Sequence, residues 1–253
     1  MGATHGFGID IGGSGIKGCV TDLDAGKLHG ERIRIPTPDP SKPDAVADVV
    51  KQIVEEFGWT GRVGITLPSV IKRGVAFSAA NIDKAWLGTD AAALFAERLG
   101  RARDEIVVLN DADAAGIAEI TYGWPDDQQG VVVLLTFGTG IGSALFLDGK
   151  LVPNTEFGHL EVDGHDAETR AAASVKEEND LSWEEWAPRV TRYIRSLEDL
   201  IWPDLIIAGG GVSKKADKWL PLLDVRTKVV PAELRNDAGI VGAARAAEFG
   251  HDG

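Results

Sequence analysis

The stretch that decides the fold is GFGIDIGGSGIKGCVTD, residues 6–22, in which two apolar runs flank a glycine-rich centre. Short apolar runs on either side of a glycine cluster are typical of two strands joined by a tight turn. A second stretch of the same design, QGVVVLLTFGTGIGSALFLDG, occupies residues 129–149. Because each half of the chain opens with such a hairpin, the sequence predicts two related α/β lobes.

Helices and further strands follow each hairpin. In the first half the sequence predicts a helix from Pro43 to Gly58, a strand at 62–68, a helix opened by Thr89 or Asp90 and closed by Gly100, and a buried strand at 106–110 that runs into a helix. In the second half it predicts an amphipathic helix at 184–202, a strand at 203–213 that enters glycines, and a final alanine-rich helix.

We place the domain boundary near residues 109–112. The first lobe is then 1–109, joined by the C-terminal helix 238–253, and the second lobe is 110–237. A cleft between two lobes is a favoured place for ligands, so we expect the functional site there.

Composition limits the possible functions of the 253-residue chain. Its single cysteine, Cys19, excludes an intrachain disulfide and a multi-cysteine zinc site. A net charge of −13 argues against a nucleic-acid binder. The opening residues lack the pattern of a signal peptide, and no run of about 18 apolar residues is present. We therefore expect a cytoplasmic protein that binds neither nucleic acid nor membranes.

Three glycine loops are candidates for phosphate binding: DIGGSGIKG (10–18), FGTGIGS (137–143) and AGGGVS (208–213). Glycines let backbone N–H groups approach an anion closely. The third loop also looks like the start of a helix, which is a further anion-binding feature. Each loop alone could equally be a turn without a ligand, and none has the ending of a P-loop. Asp10 is a candidate to hold Mg²⁺ through water, and Lys17 to neutralise phosphate charge.

As a spaced set, these motifs resemble the ROK family of sugar kinases and repressors, within the hexokinase–actin superfamily. The resemblance spans nearly the whole chain and includes LNDADAAG (109–116), LTFGTGIGSALFLDGKLVPNTEFGH (135–159) and IIAGGGVS (206–213). Within the family, the chain looks most like the polyphosphate-using glucokinases. The resemblance implies a two-lobed actin-like (ribonuclease H-like) α/β fold, a homodimer, Mg²⁺ as cofactor, and transfer of a phosphoryl group to glucose.

The resemblance also implies roles for individual residues. Asp111 matches the catalytic base of the family. The matching sugar-binding positions are Asn81, Asn110, Asp111, Glu156, His159 and, as a further candidate carboxylate, Glu168. The positions implied for the phosphate or the donor are Asp10, Gly12, Gly13, Ser14, Gly15, Lys17, Thr136, Gly138, Thr139, Gly140, Gly209, Gly210, Gly211, Lys214 and Lys215.

One departure from the family pattern concerns zinc. Many ROK members carry a cysteine-rich zinc motif just after the Glu-x-Gly-His segment, whereas the corresponding LEVDGHDAETRAAAS has no cysteine. We therefore expect no zinc site. The same loss in the polyphosphate-using branch favours that branch.

The chemistry of phosphoryl transfer explains why an aspartate is needed. A sugar hydroxyl becomes a good nucleophile when a carboxylate accepts its proton, and the transition state needs positioning and charge neutralisation. Asp111 lies where a strand meets a helix. Taken alone, it could instead be the N-cap of that helix, and Asp113 competes for the same capping role.

The identity of the donor is left open by the sequence. Residues 214–228 carry Lys214, Lys215, Lys218, Arg226 and Lys228 against two aspartates, and residues 62–84 carry Arg62, Lys72, Arg73 and Lys84 against one. Either segment could steer a polyphosphate chain, or the residues could be ordinary solvated charges. ATP remains a possible donor because AGGGVS is intact. The other hypotheses are an ATP-dependent kinase for mannose, fructose or N-acetylmannosamine, a sugar-binding protein without catalysis and, remotely, an actin-like filament protein.

Overall fold

The structure, a computed structural model, describes residues 4–126 and 129–250. It divides into two compact units. Unit 1 comprises Met1–Tyr122 together with Asp237–Gly253, and unit 2 comprises Gly123–Asn236. The chain therefore returns to unit 1 after it has completed unit 2.

Unit 1 is built on a mixed sheet. Its strands are β1 (His5–Gly12), β2 (Gly15–Asp22), β3 (Lys27–Leu28), β4 (Ile33–Ile35), β5 (Val63–Leu67), β6 (Ile71–Lys72), β7 (Val75–Ala76) and β8 (Ile106–Asn110). The strand order is β3-β2-β1-β5-β8, with β4 beside β2 and with β6 and β7 forming a separate ribbon. The predicted first hairpin is confirmed, because β1 and β2 pair antiparallel with Gly12 opposite Gly15.

Four helices cover this sheet: α1 (Pro43–Glu56), α2 (Ala91–Leu99), α3 (Asp111–Ala118) and, from the end of the chain, α8 (Ala238–Phe249). The predicted ends of α2 are confirmed. Asp90 Oδ1 accepts a hydrogen bond from the Ala93 N–H at 2.9 Å, and Gly100 ends the helix with a φ of 64°. An aspartate cap and a left-handed glycine are the signals by which a helix starts and stops.

Helix α8 lies in backbone contact with the rest of unit 1. A Cβ on Gly242 would stand 1.7 Å from the carbonyl oxygen of Ala114 in α3. A Cβ on Gly64 in β5 would stand 1.8 Å from the carbonyl oxygen of Ala243. Only glycine permits these approaches. Helix α3, which we assigned from the sequence to the second lobe, falls in unit 1 because α8 packs directly against it.

Unit 2 repeats the same topology. Its strands are β9 (Val131–Phe137), β10 (Ile141–Leu147), β11 (Lys150–Val152), β12 (Glu161–Val162), β13 (His165–Asp166), β14 (Leu205–Gly210) and β15 (Lys228–Pro231). The main sheet has the order β11-β10-β9-β14-β15, which matches β3-β2-β1-β5-β8 position by position. The prediction of two related α/β lobes is confirmed.

The helices of unit 2 are α4 (Glu168–Ala171), α5 (Ala173–Glu178), α6 (Trp183–Ile201) and α7 (Ala216–Trp219). The core contains an aromatic cluster in which the rings of Trp186 and Trp219 lie 5.0 Å apart and Phe137 lies 5.8 and 5.7 Å from them. Phe137 ends β9, so this cluster fixes the start of the loop that follows. The helices in the described part of the chain are all too short or too polar to cross a membrane.

The helix predicted after AGGGVS begins at Gly211, but it is not a continuous α-helix. Strand β14 runs through Gly210 and is followed by a 3₁₀ turn at Gly211–Lys215 and by α7, which has four residues. Pro221 lies two positions after α7. Its ring would clash with the carbonyl group of Asp217 in a continued α-helix, and it has no N–H to donate.

Candidate active site

Asp111, the candidate base, is the first residue of α3 and is partly buried. The N-cap of α3 is Asn110, whose Oδ1 accepts hydrogen bonds from the N–H groups of Ala112 at 2.8 Å and Asp113 at 3.2 Å. The alternative that Asp111 or Asp113 is the cap is therefore wrong. Asp111 itself accepts the Ala112 N–H at 2.9 Å through Oδ1.

Asn110 has a structural role in addition to its predicted one. Its amide Nδ2 donates to the carbonyl oxygen of Ser69 at 3.2 Å, and 9% of the residue is exposed. Asn110 thus joins the end of β8 to the segment after β5 and starts the helix that carries Asp111. Its role as a sugar ligand stays a prediction.

The first glycine loop follows Asp10, which lies opposite Lys17 in the β1–β2 hairpin. Asp10 Oδ2 accepts a hydrogen bond from Lys17 Nζ at 3.0 Å, and Oδ1 accepts one from the Thr66 hydroxyl at 3.1 Å. Lys17 is therefore paired with Asp10 rather than held ready for a phosphate alone. A carboxylate engaged at both oxygens and 18% exposed suits a cation bound through water better than one bound directly.

Two side chains hold the carbonyl oxygens of this loop. Thr37 donates to Gly12 at 2.5 Å, and the guanidinium group of Arg34 donates to Ser14 at 2.9 Å. Asn81 lies beside the loop, since a Cβ on Gly13 would meet its carbonyl oxygen at 3.3 Å. The structure thus brings Asn81 together with the first glycine loop and adds the positive charge of Arg34 to it.

The second and third glycine loops are neighbours within unit 2. Strands β9 and β14 run parallel with Thr136 opposite Gly209 and Phe137 opposite Gly210, so both loops leave the same edge of the sheet. Gly210 has a φ of 82°, and a Cβ there would lie 2.1 Å from the carbonyl oxygen of Phe137. Any larger residue would separate the two loops.

A cavity of about 430 Å³ lies at these two loops. Its lining combines backbone of the loops with hydroxyl, ammonium and aromatic groups: Phe137, Gly138, Thr139, Ala173, Ser174, Lys176, Glu177, Trp183, Gly211, Val212 and Lys215. Ser174 fixes the second loop, with its hydroxyl donating to Thr139 at 2.7 Å and its N–H to Gly138 at 3.0 Å. The Lys176 ammonium lies 4.4 Å from the ring centre of Trp183.

The basic segment 214–228 does not act as one surface. Arg226 forms ion pairs with Asp199 at 2.8 Å and Glu198 at 3.6 Å, and its guanidinium lies over the Trp202 ring. Lys215 lines the cavity instead. Of the two residues of this segment that were predicted to bind the phosphoryl donor, Lys214 and Lys215, only Lys215 is in the lining of this cavity.

The predicted sugar ligands of unit 2 form a compact cluster. His159 lies at the end of a 3₁₀ turn, with Nε2 4.0 Å from Glu156 and Nδ1 3.8 Å from Glu168. Glu168 begins α4, and its Oε2 accepts the Ile141 N–H at 3.0 Å. A Cβ on Gly140 would collide with this carboxylate at 2.3 Å. The second glycine loop and the predicted sugar cluster are therefore joined through Glu168.

Asp166 completes this cluster, although the sequence reasoning did not name it. Its Oδ2 lies 2.9 Å from Nδ1 of His159. This hydrogen bond raises the pKa of His159 above its ordinary value, with Glu168 and Glu156 adding to the rise and partial burial opposing it. Burial raises the pKa of Glu156 above its ordinary value. The nearby His159 lowers this pKa, and the carboxylate of Glu168 raises it further.

Comparison with known proteins shows the family of the chain. Residues 6–175 match the ROK family. The chain belongs to the ROK family. It is 58% identical to a polyphosphate glucokinase of Mycobacterium tuberculosis over 96% of its length and 91% of that protein, and 55% identical to one of Mycobacterium leprae over 96% of its length and 74% of that protein. The crystal structure of an inorganic polyphosphate/ATP-glucomannokinase from Arthrobacter sp. strain KM superposes with a TM-score of 0.91 at 52% identity, covering 98% of this chain and 100% of that one.

Membership of the ROK family confirms the predicted resemblance and the actin-like fold class. It leaves the residue roles as predictions. The side chains that sequence reasoning missed are Thr66, Arg34, Asp166, Lys176 and Trp183. Only Asp166 had a usable signal, because the Asp-Gly pair at 163–164 predicts a two-residue hairpin turn that sets it opposite Glu161.

Proposed function

We propose that the protein phosphorylates glucose to glucose 6-phosphate with inorganic polyphosphate as donor. The observation that carries this proposal is the 58% identity to a polyphosphate glucokinase, which extends over 96% of the chain. The cavity at the second and third glycine loops supports it, because the ammonium groups of Lys176 and Lys215 outnumber the one carboxylate in its lining, that of Glu177, and so favour a chain of phosphates.

Each proposed role follows from the chemistry of the side chain. Asp111 accepts the proton of the reacting hydroxyl as the phosphoryl group is transferred. Glu156, His159 and Glu168 bind the sugar ring through its other hydroxyls. Asn81 and Asn110 are further sugar ligands in this proposal. The glycine loops and Lys215 hold the donor phosphates.

Mg²⁺ is part of the proposal. When bound, it neutralises charge on the phosphoryl oxygens. Asp10 is the residue that would hold it through water, because Thr66 and Lys17 already occupy one position on each of its oxygens. The proposal also includes ATP as a second phosphoryl donor. It further includes assembly as a homodimer and a cytoplasmic location.

A coupled assay for glucose 6-phosphate tests the function directly. Purified protein is given glucose and Mg²⁺, once with polyphosphate and once with ATP. We expect product with polyphosphate, and absence of product with both donors would reject the proposal. Mannose belongs in the assay as a second acceptor, because the relative from Arthrobacter is a glucomannokinase.

Lys176 and Lys215 provide a test of the donor cavity. The double change Lys176→Ala and Lys215→Ala is expected to raise the KM for polyphosphate roughly tenfold, since each partly exposed ammonium–phosphate contact contributes about 0.7 kcal/mol. The dependence of KM on salt should also become shallower, because fewer counterions are exchanged.

The matched control for this pair is Lys218→Ala. Lys218 is an exposed lysine of α7 in the same segment, outside the lining of the cavity. The glucose KM should remain unchanged in all variants. An equal loss in the Lys218 variant would show that general charge, rather than the cavity, attracts the donor.

A further inference from the structure

Asp166 and His159 form the shortest contact in the sugar cluster, and the elements around Asp166 fix its position. Strands β12 and β13 pair Glu161 with Asp166 across a turn at Asp163 and Gly164. These two turn residues have φ values of 53° and 77°, as a tight hairpin turn requires. Arg192 of α6 binds the Asp163 carboxylate through two hydrogen bonds of 2.9 and 2.6 Å. The hairpin that carries Asp166 is thus tied to the longest helix of unit 2.

The backbone on the far side of Asp166 is also fixed. Its carbonyl oxygen accepts the Thr169 hydroxyl at 2.6 Å. The next residue, Ala167, is 2% exposed and donates its N–H to the carbonyl oxygen of Leu160, directly after His159, at 2.9 Å. Asp166 and His159 are therefore held side by side by main-chain bonds as well as by their own side chains.

The Asp166 carboxylate reaches two of the predicted sugar ligands at once. Oδ2 bonds to Nδ1 of His159, and Oδ1 accepts the backbone N–H of Glu168 at 3.3 Å. One charge thus orients the imidazole ring and the start of α4. Without it, His159 would be attracted only by Glu156 and Glu168, whose carboxylates lie 4.0 and 3.8 Å from the ring nitrogens.

The ligand atoms of His159, Asp166 and Glu168 lie within 4.8 Å of one another, which is close enough to hold a cation. The contact of 2.9 Å between Nδ1 and Oδ2 favours a shared proton instead. Two ligand atoms on a single tetrahedral zinc ion stand roughly 3.4 Å apart at ordinary zinc–ligand distances. The geometry is that of a carboxylate–histidine hydrogen bond.

We propose that Asp166 is a positioning residue of the sugar site, which holds the Nδ1–H of His159 so that Nε2 faces the sugar and which orders Glu168 at the start of α4. The sugar part of this proposal rests on the proposed function of His159 and Glu168. The orientation of the imidazole by Asp166 does not. A carboxylate behind a histidine fixes both the tautomer and the direction of the ring.

The test uses Asp166→Ala and Asp166→Asn in the full chain, with Glu161→Gln as the matched control. Glu161 is an exposed carboxylate directly opposite Asp166 in the same hairpin. Glucose binding is measured by calorimetry without a donor and in the presence of a metal chelator. Steady-state kinetics then give kcat and the KM for glucose and for polyphosphate separately. NMR titration of the imidazole, assigned with His159→Gln, gives the pKa of His159.

We expect the glucose Kd and KM of Asp166→Ala to rise about tenfold, the size expected when a charge-assisted hydrogen bond is lost. The KM for polyphosphate should not change, and Asp166→Asn, which keeps an acceptor without the charge, should fall between. The pKa of His159 should drop in both variants, because its largest raising contribution is removed. Glu161→Gln should match the wild type.

Three results would overturn the proposal. The first is an unchanged glucose Kd together with an unchanged pKa of His159 in Asp166→Ala. The second is loss of glucose binding by the wild type on chelation with recovery on adding zinc, which would mean that a metal holds His159. The third is an equal rise of both KM values, which would indicate a general loss of structure. If the wild type binds no glucose, both the proposed function and the role of Asp166 in sugar binding are rejected. The NMR titration still decides whether Asp166 orients His159.

Discussion

Replacing Asp111 with asparagine is expected to lower kcat by about 10³-fold, within the range that a positioned general base contributes. Asparagine has the same shape but cannot accept the proton of the sugar hydroxyl. The α3 cap should survive, because Asn110 and not Asp111 provides it. The glucose Kd, measured by calorimetry, should therefore change little while turnover with polyphosphate falls.

The matched control for this change is Asp104→Asn. Asp104 is an exposed aspartate in the turn just before β8, the strand whose other end leads to Asp111. Its variant should retain wild-type turnover, and both proteins should unfold at the temperature of the wild type. Near-normal turnover of Asp111→Asn would show that another group takes the proton.

The second large effect is expected from Gly242→Ala, which should lower the free energy of unfolding by about 2–3 kcal/mol or more. The added methyl group would stand 1.7 Å from the backbone oxygen of Ala114, and backbone cannot rotate out of the way as a side chain can. Helix α8 must then move away from α3. Because α3 begins at Asp111, activity should fall along with stability. Chemical denaturation monitored by circular dichroism measures the loss.

Gly239→Ala in the same helix is the control. A Cβ there would meet the side chain of Asp10 at 3.1 Å, a contact that small shifts relieve. Alanine also favours a helix over glycine by about 1 kcal/mol. We expect a stability within about 1 kcal/mol of the wild type. If both variants behave alike, close approach of α8 and α3 is not what limits stability.

The fold was largely predictable because its signals are local. The hairpins around residues 12–15 and 137–141 are marked by glycines between apolar runs, and the structure contains both. The ends of α2 follow from one aspartate and one glycine. The helix expected after AGGGVS starts as a 3₁₀ turn, and its α-helical part, α7, has four residues because Pro221 lies just beyond it.

The candidate site was predictable only where a motif marks it. Asp111, Glu156 and His159 stand in recognisable segments, and the structure gathers Glu156, His159 and Glu168 into one cluster. The sequence analysis weighed the capping role for Asp111 and Asp113, whereas Asn110 fills it. Asparagine and aspartate are both good caps, and only geometry separates them.

Other parts of the site depend on contacts between distant segments. Lys176 reaches the donor cavity because α5 starts where Ser174 binds the second glycine loop, 35 residues earlier in the chain. Thr66 reaches Asp10 from the neighbouring parallel strand, 56 residues away. A single sequence does not show such pairings, since strand order and register decide them.

The position of α8 has a consequence for how the polypeptide matures. The residues that cover β1 and β5 and hold α3 in place are encoded after the whole of unit 2. During translation, unit 2 can therefore fold as one continuous segment. The sheet of unit 1, although synthesised earlier, keeps one apolar face uncovered until α8 has been synthesised. The sheet that is synthesised first is therefore completed last, when α8 packs against α3 and fixes the start of the helix at Asp111.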